Sequence, residues 1–222
     1  MTAINKVPLI IGHRGAAAVA PENTLASFAR ALRDGADGIE LDVRLAGDGV
    51  PVVIHDATLS PPRLRNRRVA NTSSDKLKQI DSGSWFNNRH PRLARLEYSR
   101  QTIPTLEDVF AFLANQPNKD SRVYVELKTV RSKKRNAQLA RAVVDVVHRH
   151  ELQPRVVLMS SNLHSVAAIK QLTPSVRTGA LFGPRQRAVK SVRQMIDATV
   201  ARWVRRNPAA SSNRDEKDYR RP

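Results

Sequence analysis

The 222-residue chain contains no cysteine. Disulfides and thiolate metal centres are therefore excluded, and any metal would be held by oxygen or imidazole donors. Aromatic residues make up only 5% of the chain. Its two basic stretches, 63–68 and 185–221, show neither the interleaved aromatics of a single-strand binding platform nor a DNA-reading motif. No apolar run approaches the roughly 20 residues that span a bilayer, so no transmembrane segment is expected. Residues 1–6 lead straight into an apolar segment at 8–11, without the basic start, long apolar stretch and small-residue cleavage site of a secretory signal. A cytoplasmic location is the expectation. Acidic residues are scarce beside basic ones, 20 against 38, a formal net charge of +18. That excess suits nucleic acid, an anionic membrane surface or a phosphorylated small molecule, although charge alone predicts non-specific association rather than function.

What is present is an alternation of strand and helix in a length suited to one sizeable domain. Residues 8–11 form a short β-rich run ending at Gly12-His13-Arg14-Gly15, and residues 24–33 carry apolar side chains at helical spacing. Asn23 is the expected N-cap of that helix and Gly35 its stop. Residues 38–44 alternate strictly, with Ile39, Leu41 and Val43 on one face and Glu40, Asp42 and Arg44 on the other. Asp48-Gly49 signals a tight hairpin returning through residues 50–54, which sets His55 opposite Asp42 to within a residue or two. The irregular stretch 57–102 is too long for a plain loop and reads as a small inserted subdomain anchored by Trp85 and Phe86. Helices at 105–115, 135–149 and 163–172 then alternate with strands at 122–128, 155–160 and 176–182. Repeated β-then-α units imply parallel strands with right-handed crossovers. One more helix is expected at 189–204, followed by a polar, aperiodic tail at 205–222 that reads as disordered.

Among parallel barrel strands, catalytic groups gather at the strand C-termini. The first strand ends in His13-Arg14, the second presents Glu40 and Asp42, the hairpin returns His55-Asp56, and the third barrel strand ends Glu126-Leu127-Lys128. Two-residue spacing points Glu40 with Asp42, and Glu126 with Lys128, to a common face. Three converging carboxylates repel one another unless a cation lies between them, which argues for a hard divalent ion, Mg²⁺ or Ca²⁺. Two histidines at the same mouth suit paired acid and base work, and Arg14 and Lys128 would neutralise a phosphoryl group. Singly, a strand-end histidine or a Glu-Lys strand pair is more often structural. Together they describe phosphodiester hydrolysis.

The runs His13-Arg14-Gly15, Pro21-Glu22-Asn23-Thr24-Leu25, Glu40-Leu41-Asp42-Val43, Val53-Ile54-His55-Asp56, Ile103-Pro104-Thr105-Leu106-Glu107 and Glu126-Leu127-Lys128 stand in one order and spacing. In these, with Asp81-Ser82-Gly83-Ser84-Trp85-Phe86, the sequence resembles glycerophosphodiester phosphodiesterases over roughly residues 10–182. The resemblance implies a TIM-type (β/α) barrel over 1–182, with 57–102 inserted and 183–222 a divergent basic helix and tail. It implies that Glu40, Asp42 and Glu126 hold the metal, that His13 and His55 form the acid/base pair, and that Arg14 and Lys128 grip the phosphate. The substrate would be a glycerophosphodiester, cut to glycerol 3-phosphate and an alcohol. Similar barrels and histidine pairs serve phosphatidylinositol-specific phospholipases and sphingomyelinase D-like enzymes, but the run 103–106 and the insertion favour the glycerophosphodiester group.

Two departures accompany the resemblance. Residues 60–65 replace the family's usual Arg-Thr-Thr stretch, and the last forty residues lack the run patterns of the family's three final strands. About five of eight barrel strands are therefore expected. An inactive, truncated relative and a basic protein binding nucleic acid or anionic membrane are the alternatives to an active phosphodiesterase.

Overall fold

The structure, a computed structural model, describes residues 8–59 and 67–182. The strict alternation around Glu40 and Asp42 produces the longest strand of the sheet. In chain order the strands are β1 (Ile11–Gly12), β2 (Gly38–Leu45), β3 (Pro51–Val53), β4 (Arg122–Leu127), β5 (Val156–Ser160) and β6 (Arg177–Ala180). Their spatial order is β1-β2-β4-β5-β6, every neighbouring pair parallel. Strand β3 returns antiparallel along the C-terminal half of β2. Five parallel strands with helices between them are the expected part of a TIM-type barrel, and all five lie among the described residues.

The helices are α1 (Leu25–Arg33), α2 (Ser74–Leu77), α3 (Ser84–Arg89), α4 (Leu106–Ala114), α5 (Lys133–Arg149) and α6 (Leu163–Leu172). Thr105 caps α4 by accepting from Asp108 N, while the Asp108 carboxylate accepts from Thr105 N, a reciprocal capping box. Odd-numbered residues of β2 and β4, from Ile39 to Val43 and from Val123 to Leu127, are fully buried. They form one core with Phe28 of α1, Val109 and Phe110 of α4, Val143 and Val147 of α5, and Ile169 of α6. Burying a leucine or valine contributes about 1.5–3 kcal/mol, so this face carries the fold's stability. The even-numbered side chains of the same strands are left for the barrel interior.

Four sequence expectations shift. Thr24, not Asn23, caps α1, because Asn23 adopts a left-handed φ of 55° that an N-cap does not use. The hairpin pairs Val43 with Val53, one residue from the expected register, so Asp42 faces Ile54 and its carbonyl accepts from Ile54 N at 2.9 Å. Gly49 supplies the positive φ of 87° at that turn. Phe86 anchors the insertion in a cluster with Tyr98 and Ala20, whereas Trp85 is 46% exposed and lies outside that cluster. The apolar run 8–11 contributes only Ile11 to the two-residue β1.

The insertion is built on the barrel rather than apart from it. Val69, Leu77 and Ile103 pack on Ala46 and Val52 of the hairpin, and the chain through Leu181 forms one compact unit. Gly83 lies so close to the Tyr98 carbonyl that a Cβ there would collide with it. The expected helix at 189–204, the tail at 205–222 and the divergent loop at 60–65 lie outside the described residues.

Candidate active site

Register brings the strand-borne carboxylates together. Asp42 and Glu126 are direct partners across β2 and β4, and Glu40 precedes Asp42 by two on the same face. One carboxylate oxygen from each of Glu40, Asp42 and Glu126 lies within 4.8 Å of the others. Lys128, just beyond β4, reaches back so that its Nζ stands 2.9 Å from Asp42 Oδ1 and 2.8 Å from Glu126 Oε1.

Loop residues close the other side. His13 follows β1 directly, and its exposed ring puts Nε2 3.8 Å from Glu40 Oε2. Arg14 takes a left-handed φ of 52°, which turns its N–H onto Glu40 Oε2 at 3.1 Å. Its guanidinium spans both oxygens of Glu22 at 2.9–3.0 Å and leaves Nε 3.2 Å from Asp42 Oδ2. Asn23, also left-handed, donates from its amide to Asp42 Oδ2 at 2.9 Å and accepts from Asp42 N at 3.3 Å. Its own backbone N–H donates to the Arg14 carbonyl. Each such backbone costs about 1–3 kcal/mol and persists where its surroundings hold it. Here the ties between Arg14, Asn23, Glu40 and Asp42 do so.

His55 joins the site differently. Arg44 Nε donates to the His55 carbonyl at 2.7 Å, and the ring Nδ1 lies 2.8 Å from Asp56 Oδ1. A carboxylate only accepts, so in the neutral ring Nδ1 carries the proton and Nε2 is the free basic nitrogen.

The charges do not balance evenly. Burial alone would push the Asp42 carboxyl up, but donation from Asn23 and the nearby Lys128 and Arg14 charges hold it below the usual range. Glu40 has weaker support, the N–H of Arg14 and a smaller effect of the Lys128 charge. Burial, and then the negative charge of Asp42, push its carboxyl up to about 7 against them. Burial works against the Lys128 charge too, but Glu126 and Asp42 outweigh it and hold its proton more firmly than usual. Asp42 Oδ1 and Arg14 Nε are buried with ionic neighbours only, outside hydrogen-bond geometry. Three carboxylates closing on one point, one of which its own protein neutralises poorly, fit a hard divalent cation.

The structure therefore gathers Glu40, Asp42, Glu126, Lys128, His13 and Arg14 around one point, and ties His55 to the same strand only through its carbonyl, which accepts from Arg44. Arg14 and Lys128, expected at the phosphate, have their cationic groups against carboxylates. Three contributors escape the sequence reading. Asn23 fixes Asp42, Glu22 holds the Arg14 guanidinium, and Arg44 presents a cation on the Asp42 face of β2 whose charge burial disfavours. The signal for Arg44 is its even position in the alternation; for Asn23, its pairing with a second cap-competent residue, Thr24.

Comparison with known proteins agrees with this geometry. The chain is 32% identical over 174 residues to a glycerophosphodiester phosphodiesterase of Caldanaerobacter subterraneus, covering 78% of this chain and 66% of that protein. It is 30% identical over 185 residues to one of Bacillus subtilis, covering 81% and 61%. The chain thus spans under two thirds of these relatives. Among solved structures, an Oleispira antarctica phosphodiesterase in complex with the product sn-glycerol-3-phosphate superposes with a TM-score of 0.71 at 30% identity, covering 88% of this chain and 72% of that one. A Silicibacter pomeroyi structure described as a glycerophosphoryl diester phosphodiesterase superposes at 0.76 with 27% identity, covering 87% and 72%. The sequence pattern of the Glycerophosphoryl diester phosphodiesterase family matches residues 13–217, and with the carboxylate cage at the barrel mouth it makes this chain a member of that family.

Proposed function

We propose that this chain hydrolyses glycerophosphodiesters to glycerol 3-phosphate and an alcohol. The observation that carries the reading is the convergence of Glu40, Asp42 and Glu126 beside His13, Arg14 and Lys128, in a barrel of this family. The three carboxylates would hold Mg²⁺ or Ca²⁺, which when bound supplies Lewis-acid polarisation of the phosphoryl oxygens. His55, with Asp56 on Nδ1, presents a free Nε2 to take a proton from the attacking oxygen. His13, exposed at the mouth and beside Glu40, gives a proton to the departing alcohol oxygen as the P–O bond breaks. Arg14 and Lys128 neutralise charge on the phosphoryl group once the substrate competes for their carboxylate partners. Asn23 and Glu22 position Asp42 and Arg14 and touch no reacting atom. The barrel domain is 1–182 with 57–102 inserted, and the cytoplasm is the compartment.

The test is glycerol 3-phosphate release from glycerophosphocholine by the purified chain, with Mg²⁺ or Ca²⁺, against EDTA and His13→Ala. Release that needs both metal and His13 is expected. No release from a folded, metal-loaded sample overturns the reading in favour of an inactive relative.

A further inference from the structure

The inserted segment following Gly83 carries a surface the proposed chemistry does not use. Trp85 on α3 and Leu93 and Leu96 in the turns after it are 46%, 38% and 73% exposed. Single exposed leucines are ordinary, but three large apolar side chains within twelve residues of a tightly held segment are not. The exposure does not come from looseness. Asn87 donates to the Arg95 carbonyl at 2.8 Å and accepts from Arg95 N at 3.1 Å, and the Trp85 indole donates to the Ser82 carbonyl at 2.9 Å. Beneath them Phe86 and Tyr98 pack edge to face in the buried cluster.

Arg89, Arg92, Arg95 and Arg100 lie in the same stretch of chain as these apolar groups, all exposed, with Glu97 the one acid between residues 82 and 106. None of the four guanidinium groups has an ion pair among the described residues. An amphipathic indole, two leucines and unpaired arginines on a rigid element match the chemistry of a bilayer interface, apolar below and anionic above. The segment is also fixed to the mouth. The Tyr98 hydroxyl donates to the Val19 carbonyl, and Gln101 accepts from Ala26 N, on the loop and helix that follow His13 and Arg14.

We propose that residues 85–100 dock this protein on an anionic phospholipid bilayer, with Trp85, Leu93 and Leu96 entering the interface and the arginines binding lipid phosphates. The docking stands whether or not the chain is a phosphodiesterase. It is peripheral, since no described helix is long and apolar enough to cross a membrane.

The test uses the full chain with Trp203→Phe, which leaves Trp85 as the sole tryptophan. Vesicles of phosphatidylcholine with and without phosphatidylglycerol are titrated, reading Trp85 emission and co-sedimentation. A blue shift and co-sedimentation that require phosphatidylglycerol are expected. Leu93→Asp with Leu96→Asp should weaken binding at least about tenfold, and Arg89→Glu with Arg92→Glu at least about fivefold per site. The second pair supplies the answer if the first no longer melts cooperatively. No binding, or co-sedimentation through charge elsewhere with Trp85 emission unchanged and both variants unaffected, overturns the proposal. So does a Trp85 shift with a single-stranded polynucleotide but not with vesicles.

Discussion

Glu40 and Leu41 are one residue apart on β2 and belong to different problems. Leu41 is wholly buried against the helices, with Val43 and Val125 beside it, and contributes packing. Glu40 turns to the barrel interior, where burial and Asp42 push its carboxyl up to about 7. One face of the strand is arranged to be stable, the other to concentrate charge that folding alone would not favour. The period of two lets a single strand do both without compromise at any one residue. A site built this way should separate under mutation, with function lost on one face and stability on the other.

The largest effect is expected on the interior face. Glu40→Gln keeps an acceptor for Arg14 N–H but removes one of the three charges proposed to hold the metal. A metal interaction is worth several kcal/mol, so turnover of glycerophosphocholine should fall about a thousandfold. The metal-free protein should melt no earlier than wild type, because a buried like-charge repulsion has been relieved. Loss of activity together with a lower melting temperature would break the comparison. Next comes Leu41→Ala, which opens a cavity in the main apolar core. A loss of about 2–5 kcal/mol is expected in urea unfolding, with activity per folded molecule retained. A stable but inactive Leu41→Ala protein would show that the two faces are coupled through the backbone.

Most of this arrangement is legible in the sequence, and the misses have physical causes. The strand carboxylates could be placed because alternation fixes a side chain's face regardless of where the strand begins. The loop-borne groups lack such a rule. Asn23 and Thr24 are both competent N-caps, and only the left-handed backbone at Asn23, set by its bonds to Asp42 and Arg14, decides between them. Trp85 and Phe86 are adjacent aromatics at the start of α3, and successive helical residues point about 100° apart, so one of them meets Tyr98 and the other solvent. The hairpin register depends on a single pairing at its turn, where an error of one residue moves His55 past Asp42. Arg44 is visible in the alternation, but the burial that weakens its hold on its proton comes from tertiary packing.

The smallest effect tests how the helix after the insertion is secured, away from both faces of β2. Burial alone would raise the Asp108 carboxyl, but donation from the Thr105 hydroxyl and N–H, together with Lys78, holds it below the ordinary carboxylate value. A depressed carboxyl contributes stability that is fully present above its unfolded value near 4 and is lost as pH falls through the lower folded value. Asp108→Ala should therefore cost about 1 kcal/mol at pH 7, within the range of a lost cap. The difference from wild type in urea unfolding should shrink as the pH is lowered below about 4, where the wild-type carboxyl also becomes protonated. A constant difference from pH 7 to pH 2 would mean that the contribution is packing of α4 rather than the ionised cap. The same series run on Leu41→Ala should show a pH-independent loss, since Leu41 belongs to the apolar core cluster rather than to the charged face.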